Sequence, residues 1–146
     1  MQNQTSSLLY LKYLTTAFDN INDGVVLVAI EEGEVYRMLL ANNAFHKISG
    51  FSLDSVGKEV GEISTPEGFD YLTTRYRKVR ETKKPLEYIR WSNVPAGRRA
   101  YDVRMIPVMN TVDEVVQIVA IIRDVTMLLK LKEEVQELRA KVATKA

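Results

Sequence analysis

The chain has no cysteine. Disulfides, thiolate metal ligands and cysteine nucleophiles are thereby excluded, and the composition is compatible with the cytosol. Histidine occurs once, as His46 between Phe45 and Lys47. A structural zinc site wants ~four ligands, and nothing clusters with His46, so no metal site is expected. An excess of charge is missing too. The 20 basic side chains stand against 19 acidic ones, for a formal charge of +1, so no field draws the chain to nucleic acid. No apolar run approaches membrane length, the longest, around residues 115–122, being broken by Gln117. The opening MQNQTSS lacks the basic and apolar regions of a secretory signal. A cytoplasmic setting without membrane contact is expected, even for a piece cut from a membrane-anchored parent.

Enzymatic signatures are lacking as well. The glycines, at 24, 33, 50, 57, 61, 68 and 97, are scattered and build no nucleotide-binding loop. Ser49, Ser52, Ser55 and Ser64 have no elbow geometry and no second histidine to serve them. Glu59, Glu62 and Glu67 read as caps and surface charge. No catalytic residue is expected.

What is there is a chain of 146 residues with 46% hydrophobic content, enough for one domain with an appendage. Its organising stretch is residues 21–50. A polar break ending in Asp23-Gly24 marks a turn. Residues 25–30 are a short β-branched apolar run, hence a strand. Gly33 lies where a hairpin needs a positive φ, and residues 35–41 form the return strand. Asn42 and Asn43 are suited to cap the next helix, whose apolar positions Ala44, Phe45 and Ile48 end at Gly50.

Upstream, residues 8–18 carry an apolar helical stripe of Leu8, Leu11, Leu14 and Phe18, widened by Leu9 and Tyr10. It fits either packing on its own domain or a second partner. Downstream, Ser52 and Ser55 bracket a one-turn helix, and residues 58–63 form another short helical piece. Pro66 and Glu67 open a longer helix over residues 66–83, with Phe69, Leu72, Thr73, Tyr76 and Val79 inward. Arg75, Lys78, Glu81, Lys83 and Lys84 are expected in solvent, and Pro85 bars continuation. Residues 86–94, 99–109 and 115–124 then read as strands, the second alternating strongly and interrupted late by Pro107. The third is apolar on both faces and should be central. Five strands imply an antiparallel sheet with the helices gathered on one face, an α+β fold.

The final segment, residues 126–142, contains no glycine or proline. Leu128, Leu131, Val135, Leu138 and Val142 are spaced three and four apart, the seam of a coiled coil over about two heptads. A parallel dimer stalk and a helix folded back on the sheet both fit. The expected division is residues 1–19 as an amphipathic dimerisation helix, 20–125 as the domain, and 126–146 as the outgoing helix.

Residues from about 14 to 131 resemble the PAS sensor-domain family. Asn22-Asp23-Gly24 with Val25-Val26 is similar to its opening turn and first strand. Asn43-Ala44-Phe45 and Ile48-Ser49-Gly50-Phe51-Ser52 resemble its signature, Val56-Gly57-Lys58 its following step, and Pro107 the proline late in the fourth strand. Arg123-Asp124-Val125-Thr126 resembles the terminal D-x-T motif that hands the last strand to a signalling helix. The resemblance implies a PAS-like five-stranded antiparallel sheet, flanked by amphipathic helices.

It also implies a sensory or regulatory module that dimerises and relays a ligand- or partner-induced change through its last helix. The output would be a histidine kinase, cyclase or transcription regulator. The alternative is a dimerisation or interaction module with a filled core and no ligand; the size and polarity of the cavity between sheet and long helix separate the two. Light-oxygen-voltage photosensors of the family carry an adduct-forming cysteine where this chain has Val60, and a glutamine where it has Ile122. Oxygen-sensing haem members carry a histidine on the long helix, which here has none. No cofactor is therefore expected, though an unknown small-molecule ligand is compatible.

A ligand would be lined from the long helix and the last three strands, the candidates being Phe69, Leu72, Tyr76, Tyr88, Arg90, Trp91, Arg104 and Ile122. Each is equally a candidate for plain core or surface. Tyr88 and Arg90 share one face of their strand and Ile89 and Trp91 the other, with the inward face left open. An inward Arg90 or Arg104 suggests a carboxylate ligand. Asp124 and Thr126 form the expected signalling junction, with the Thr126 hydroxyl capping the last helix. The homodimer would use Leu8, Leu11, Leu14 and Phe18 together with Leu128, Leu131, Val135, Leu138 and Val142. Protein purified without denaturation should be colourless and unresponsive to light; a stoichiometric flavin or Soret band overturns this.

Overall fold

The computed structural model describes residues 2–145. Met1 and Ala146, expected as the ends of the flanking helices, lie outside the described residues. Along the chain come α1 (Gln2–Asp19), β1 (Gly24–Glu31), β2 (Val35–Ala41), α2 (Asn43–Ser49), a single 3-10 turn (Leu53–Ser55), α3 (Val60–Ile63), α4 (Pro66–Thr82), β3 (Leu86–Val94), β4 (Gly97–Met109), β5 (Val115–Asp124) and α5 (Thr126–Lys145). The strands form one antiparallel sheet in the order β2-β1-β5-β4-β3, with the apolar β5 central as the sequence implies.

One face of the sheet is the floor of the core. Val26 and Val28 of β1, Tyr36 and Met38 of β2, Tyr101, Val103 and Met105 of β4, and Ile118 and Ala120 of β5 are buried there. Phe45 of α2, Val60 of α3, and Tyr76 and Val79 of α4 close over them. The period of two along the strands and the helical spacing along α4 thus meet on one side. The other sheet face keeps Val25, Leu27, Val119 and Ile121 only half-buried.

The β1–β2 turn is left-handed at both Gly33 (φ 76) and Glu34 (φ 59). Glu34 holds that conformation with its carboxylate bonded to Arg77 and to the Tyr36 hydroxyl. The free edge of β2 is covered by the 57–58 backbone, since Met38 N–H donates to Lys58 O and Gly57 N–H to Met38 O. Pro107 does not mark an edge strand. It lies near the strand end, the other position a late proline suits, two residues past the last β3–β4 pair, Leu86 with Met105, and opposite Ile118 of β5.

Asn42 is fully buried and uses its whole amide. Its Oδ1 accepts from Val25 N–H and from Phe45 N–H, and its Nδ2 donates to Phe18 O and Asp23 O. It therefore caps α2, as expected of Asn42 or Asn43, and also ties α1 and the start of β1 to that cap.

The two end helices leave the domain. On α1, Leu8, Leu11 and Leu14 are exposed and Phe18 is half-buried, so the helix does not pack its stripe on its own sheet. On α5 only Thr126 is buried, while Leu128, Leu131, Val135, Leu138 and Val142 are all exposed. Of the two readings of this segment, the folded-back helix is the one the structure lacks. The 20 residues of α5 make a rod of roughly 30 Å.

Asn42→Ala strands two backbone donors and two backbone acceptors, all buried or half-buried, and should cost roughly 3 kcal/mol. Asn42→Asp keeps the acceptors and loses the donors, and should also destabilise. Urea midpoints check both; a loss within ~0.5 kcal/mol for Asn42→Ala overturns the assignment.

Candidate functional site

A cavity of about 470 Å³ lies between α2, the first half of α4 and the inner face of β3, β4 and β5. Its walls are mostly hydrocarbon: Phe45 and Ile48 of α2, Phe51, Ile63, Leu72 of α4, Val103 of β4 and Ile122 of β5. One end is closed by the β3–β4 turn. Ala96 N–H bonds to Ser49 O at 3.0 Å, and a Cβ on Gly50 would lie 2.6 Å from Ala96 N. Gly50 also has φ 76, so close approach and backbone conformation both call for glycine.

The other end is polar. Thr65 caps α4 by accepting from Gly68 N–H, and one turn on, Tyr71 faces β3. The Tyr71 ring lies 3.3 Å from Arg75 Cζ and 3.7 Å from Arg90 Cζ, with Tyr88 edge-on at 5.4 Å. Arg90 is only 21% exposed and pairs with Glu67 at 3.5 Å. Burial raises the Tyr88 hydroxyl above the usual tyrosine range, keeping it a neutral donor at ordinary pH. Burial likewise pushes Tyr101 up to about 12, and its hydroxyl donates to Ile48 O at 2.6 Å.

Next to the cavity, β4 anchors α5. Val125 N–H donates to Ala100 O, and Ala100 N–H donates to the Thr126 hydroxyl, each at 2.9 Å. That hydroxyl donates in turn to Asp124 Oδ1, which also accepts from Thr126 N–H. The expected cap is corrected in detail. Thr126 Oγ1 receives no helix amide because it faces β4, and the carboxylate that receives the first amide of α5 is that of Asp124.

Residues 18–130 match the family described as PAS fold. The chain belongs to the PAS family. Among solved structures, this PAS chain is similar to an RNA-binding light-oxygen-voltage receptor at 15% identity and TM-score 0.72, over 95% of this chain and 39% of that one. It is similar to the PAS domain of a Colwellia psychrerythraea protein at 18% identity and TM-score 0.66, over 81% of this chain and 98% of that one. A third likeness is to a sensory box histidine kinase/response regulator from Burkholderia thailandensis E264, at 14% identity and TM-score 0.59, over 92% and 98% of the two chains. No curated protein matches. At these identities the likenesses show the fold alone.

Of the residues singled out in the sequence, Leu72, Tyr88, Arg90 and Ile122 meet at the PAS cavity. The other four do not line it. Phe69 packs toward Gly61, and Tyr76 is buried against Tyr36 with centroids 4.5 Å apart. Trp91 lies on the opposite face of β3 with Arg98 over its ring, and Arg104 is exposed on β4 beside Glu87. Arg75, expected in solvent, is half-buried against Tyr71. The α2 residues and Tyr71 were missed. Gly68, Tyr71, Leu72 and Arg75 recur at helical spacing and are a second face of α4 that the sequence does offer.

The positions singled out for the photosensor and oxygen-sensing haem subtypes hold other groups. Val60 is a buried hydrocarbon outside the cavity, Ile122 presents hydrocarbon to it, and no histidine lines it among the described residues. His46 Nδ1 is 3.0 Å from Phe51 O. Among the described residues no group of three or more His, Asp or Glu could hold a metal, and no helix is long and apolar enough to cross a membrane.

The buried tyrosines set an alkaline limit. Tyr76, Tyr88 and Tyr101 all hold their protons more tightly folded than unfolded, chiefly through burial. Unfolded tyrosine ionises near pH ~10. Their contribution is present below that pH and is lost as pH rises toward the folded values, by about 1.4 kcal/mol per pH unit per tyrosine. Urea midpoints should fall above about pH 10, less steeply in Tyr101→Phe, which should also lose about 1 kcal/mol at neutral pH with its hydrogen bond. Parallel pH profiles for the two proteins overturn this.

Proposed function

We propose that this chain is a sensory module without catalysis of its own. It responds to a small molecule in the cavity and relays the change through α5 to an output domain. The observation that carries the reading is the adjacency of cavity and anchor. Tyr101 lines the cavity and is bonded in sequence to Ala100, the residue that holds Val125 and Thr126. Ile122 lines it from β5, two residues before Asp124. A ligand that displaces Tyr101 or Ile122 moves the strands that fix the first turn of α5, provided the junction has two packed states. A cavity of about 470 Å³ falls in the range of small-molecule sites and supports this reading over a filled interaction module.

We also infer a homodimer. The stripe on α1, the half-buried outer sheet face and the α5 seam are apolar surfaces without a partner in one chain. A second copy covers them with α1 against the domain and the two α5 helices parallel, as division into an N-terminal dimerisation helix and a C-terminal signalling helix requires. Parallel helices deliver both outputs in one direction. The similarity to a sensory box histidine kinase/response regulator supports a kinase as one such output.

Light scattering at tens of micromolar should give a dimer, and Leu131→Asp with Leu138→Asp should weaken it; a monomeric parent chain sinks the dimer. In a fusion to a histidine kinase or cyclase, Asp124→Ala should change basal or stimulated activity while costing about 1 kcal/mol or less in stability. Unchanged activity in both states defeats the coupling. Thr126→Ala, which strands the buried Ala100 N–H, should cost ~1–3 kcal/mol.

A further inference from the structure

The polar end of the cavity has one lining cation, Arg90, while Arg75 packs on the Tyr71 ring without lining it. Arg75 and Arg90 both sit within 4 Å of the Tyr71 centroid, which is sterically allowed only on opposite faces of the ring. The stack holds each guanidinium in place before any ligand arrives. The carboxylate beside Arg90 is Glu67, which is 90% exposed, so water screens the pair. Arg75 has no carboxylate at ion-pair distance among the described residues. Of the two guanidiniums only Arg90 lines the cavity, and its one carboxylate partner is screened.

Beside them is an unused donor. Tyr88 precedes Arg90 by two residues on the same face of β3 and lines the cavity with it. Its hydroxyl has no hydrogen-bond partner among the described residues. The fork of Arg90 and the O–H of Tyr88 are both donors of the kind a carboxylate accepts from, and both line the cavity. Much of the remaining wall is hydrocarbon from Phe45, Ile48, Phe51, Leu72 and Ile122, with Ser49, Ser92 and Asn93 also lining it. A single lining cation with a screened partner suits a monoanion better than a dianion, and the apolar wall suits a ligand with a hydrocarbon body.

We propose that the cavity binds a small monocarboxylate, its carboxylate on Arg90 and the Tyr88 hydroxyl and its apolar body against the α2, α4 and β5 wall. This rests on the ligand-responsive reading above and names the ligand class.

Calorimetry on the full chain with octanoate and 3-phenylpropionate, each against its neutral amide, tests it. The acids should bind saturably and about tenfold or more tighter than the amides. Arg90→Gln should remove the advantage of the acids over the amides, with an unchanged urea midpoint reporting an intact fold. Tyr88→Phe should weaken the acids by a few-fold and spare the amides. Acids and amides binding alike, or an acid advantage that survives Arg90→Gln, overturns the carboxylate assignment and leaves the ligand-responsive reading standing. Failure of all four compounds to bind overturns the monocarboxylate proposal, while the ligand-responsive reading stands or falls with the fusion assay above.

Discussion

The carboxamide of Asn42 holds four backbone groups from three elements, with every donor and acceptor of the side chain in use. An amide buried to this extent is favourable only when fully bonded, so its geometry fixes the elements around it rather than following them. It sets the start of β1 and the pitch of α2, and it pins the last turn of α1 through Phe18 O. The helix it caps carries Phe45 and Ile48, which become a wall of the cavity. Without that cap, the wall has no defined distance from the sheet.

The cavity persists because α4 meets the sheet differently at its two ends. Its second half packs closely, with Val79 fully buried and the Tyr76 ring tilted against Tyr36. Its first half is held off β3 by the Arg75–Tyr71–Arg90 stack, a thick and charged spacer that cannot collapse into hydrocarbon. At the other end the Gly50–Ala96 contact clamps the β3–β4 turn onto α2. Close packing on three sides with a spacer on the fourth leaves room for a guest beside Tyr101 and Ile122, the residues nearest the α5 anchor. Cavity and output helix thus share two adjacent strands, and no longer path between them is needed.

Much of this was legible in the chain because it is local chemistry. Residues 35–41 and 86–94 are the strands their composition implies, Pro66 and Pro85 bracket α4, and Gly50 ends α2 in a left-handed conformation. Asn42 was readable as a cap. Its two bonds to Phe18 O and Asp23 O, reaching 24 and 19 residues back, were not. Thr126 likewise carries the composition of a cap, yet its hydroxyl goes to Ala100 on a neighbouring strand, 26 residues away.

The sequence by itself determined the element order, the central β5, the two apolar end helices and the family, since these depend on periodicity and turn chemistry within short windows. Only the tertiary structure decided which face of β3 is inward. Its alternation puts Tyr88 with Arg90 and Ile89 with Trp91, but both pairs mix aromatic with polar or aliphatic groups, so hydrophobicity does not choose between them. The choice is made by register: Tyr88 lies opposite Val103 and Arg90 opposite Tyr101, both buried residues of β4. A one-residue slip in that pairing would turn Trp91 inward and Arg90 out. The charge of the cavity is therefore a property of strand pairing, which no single segment contains.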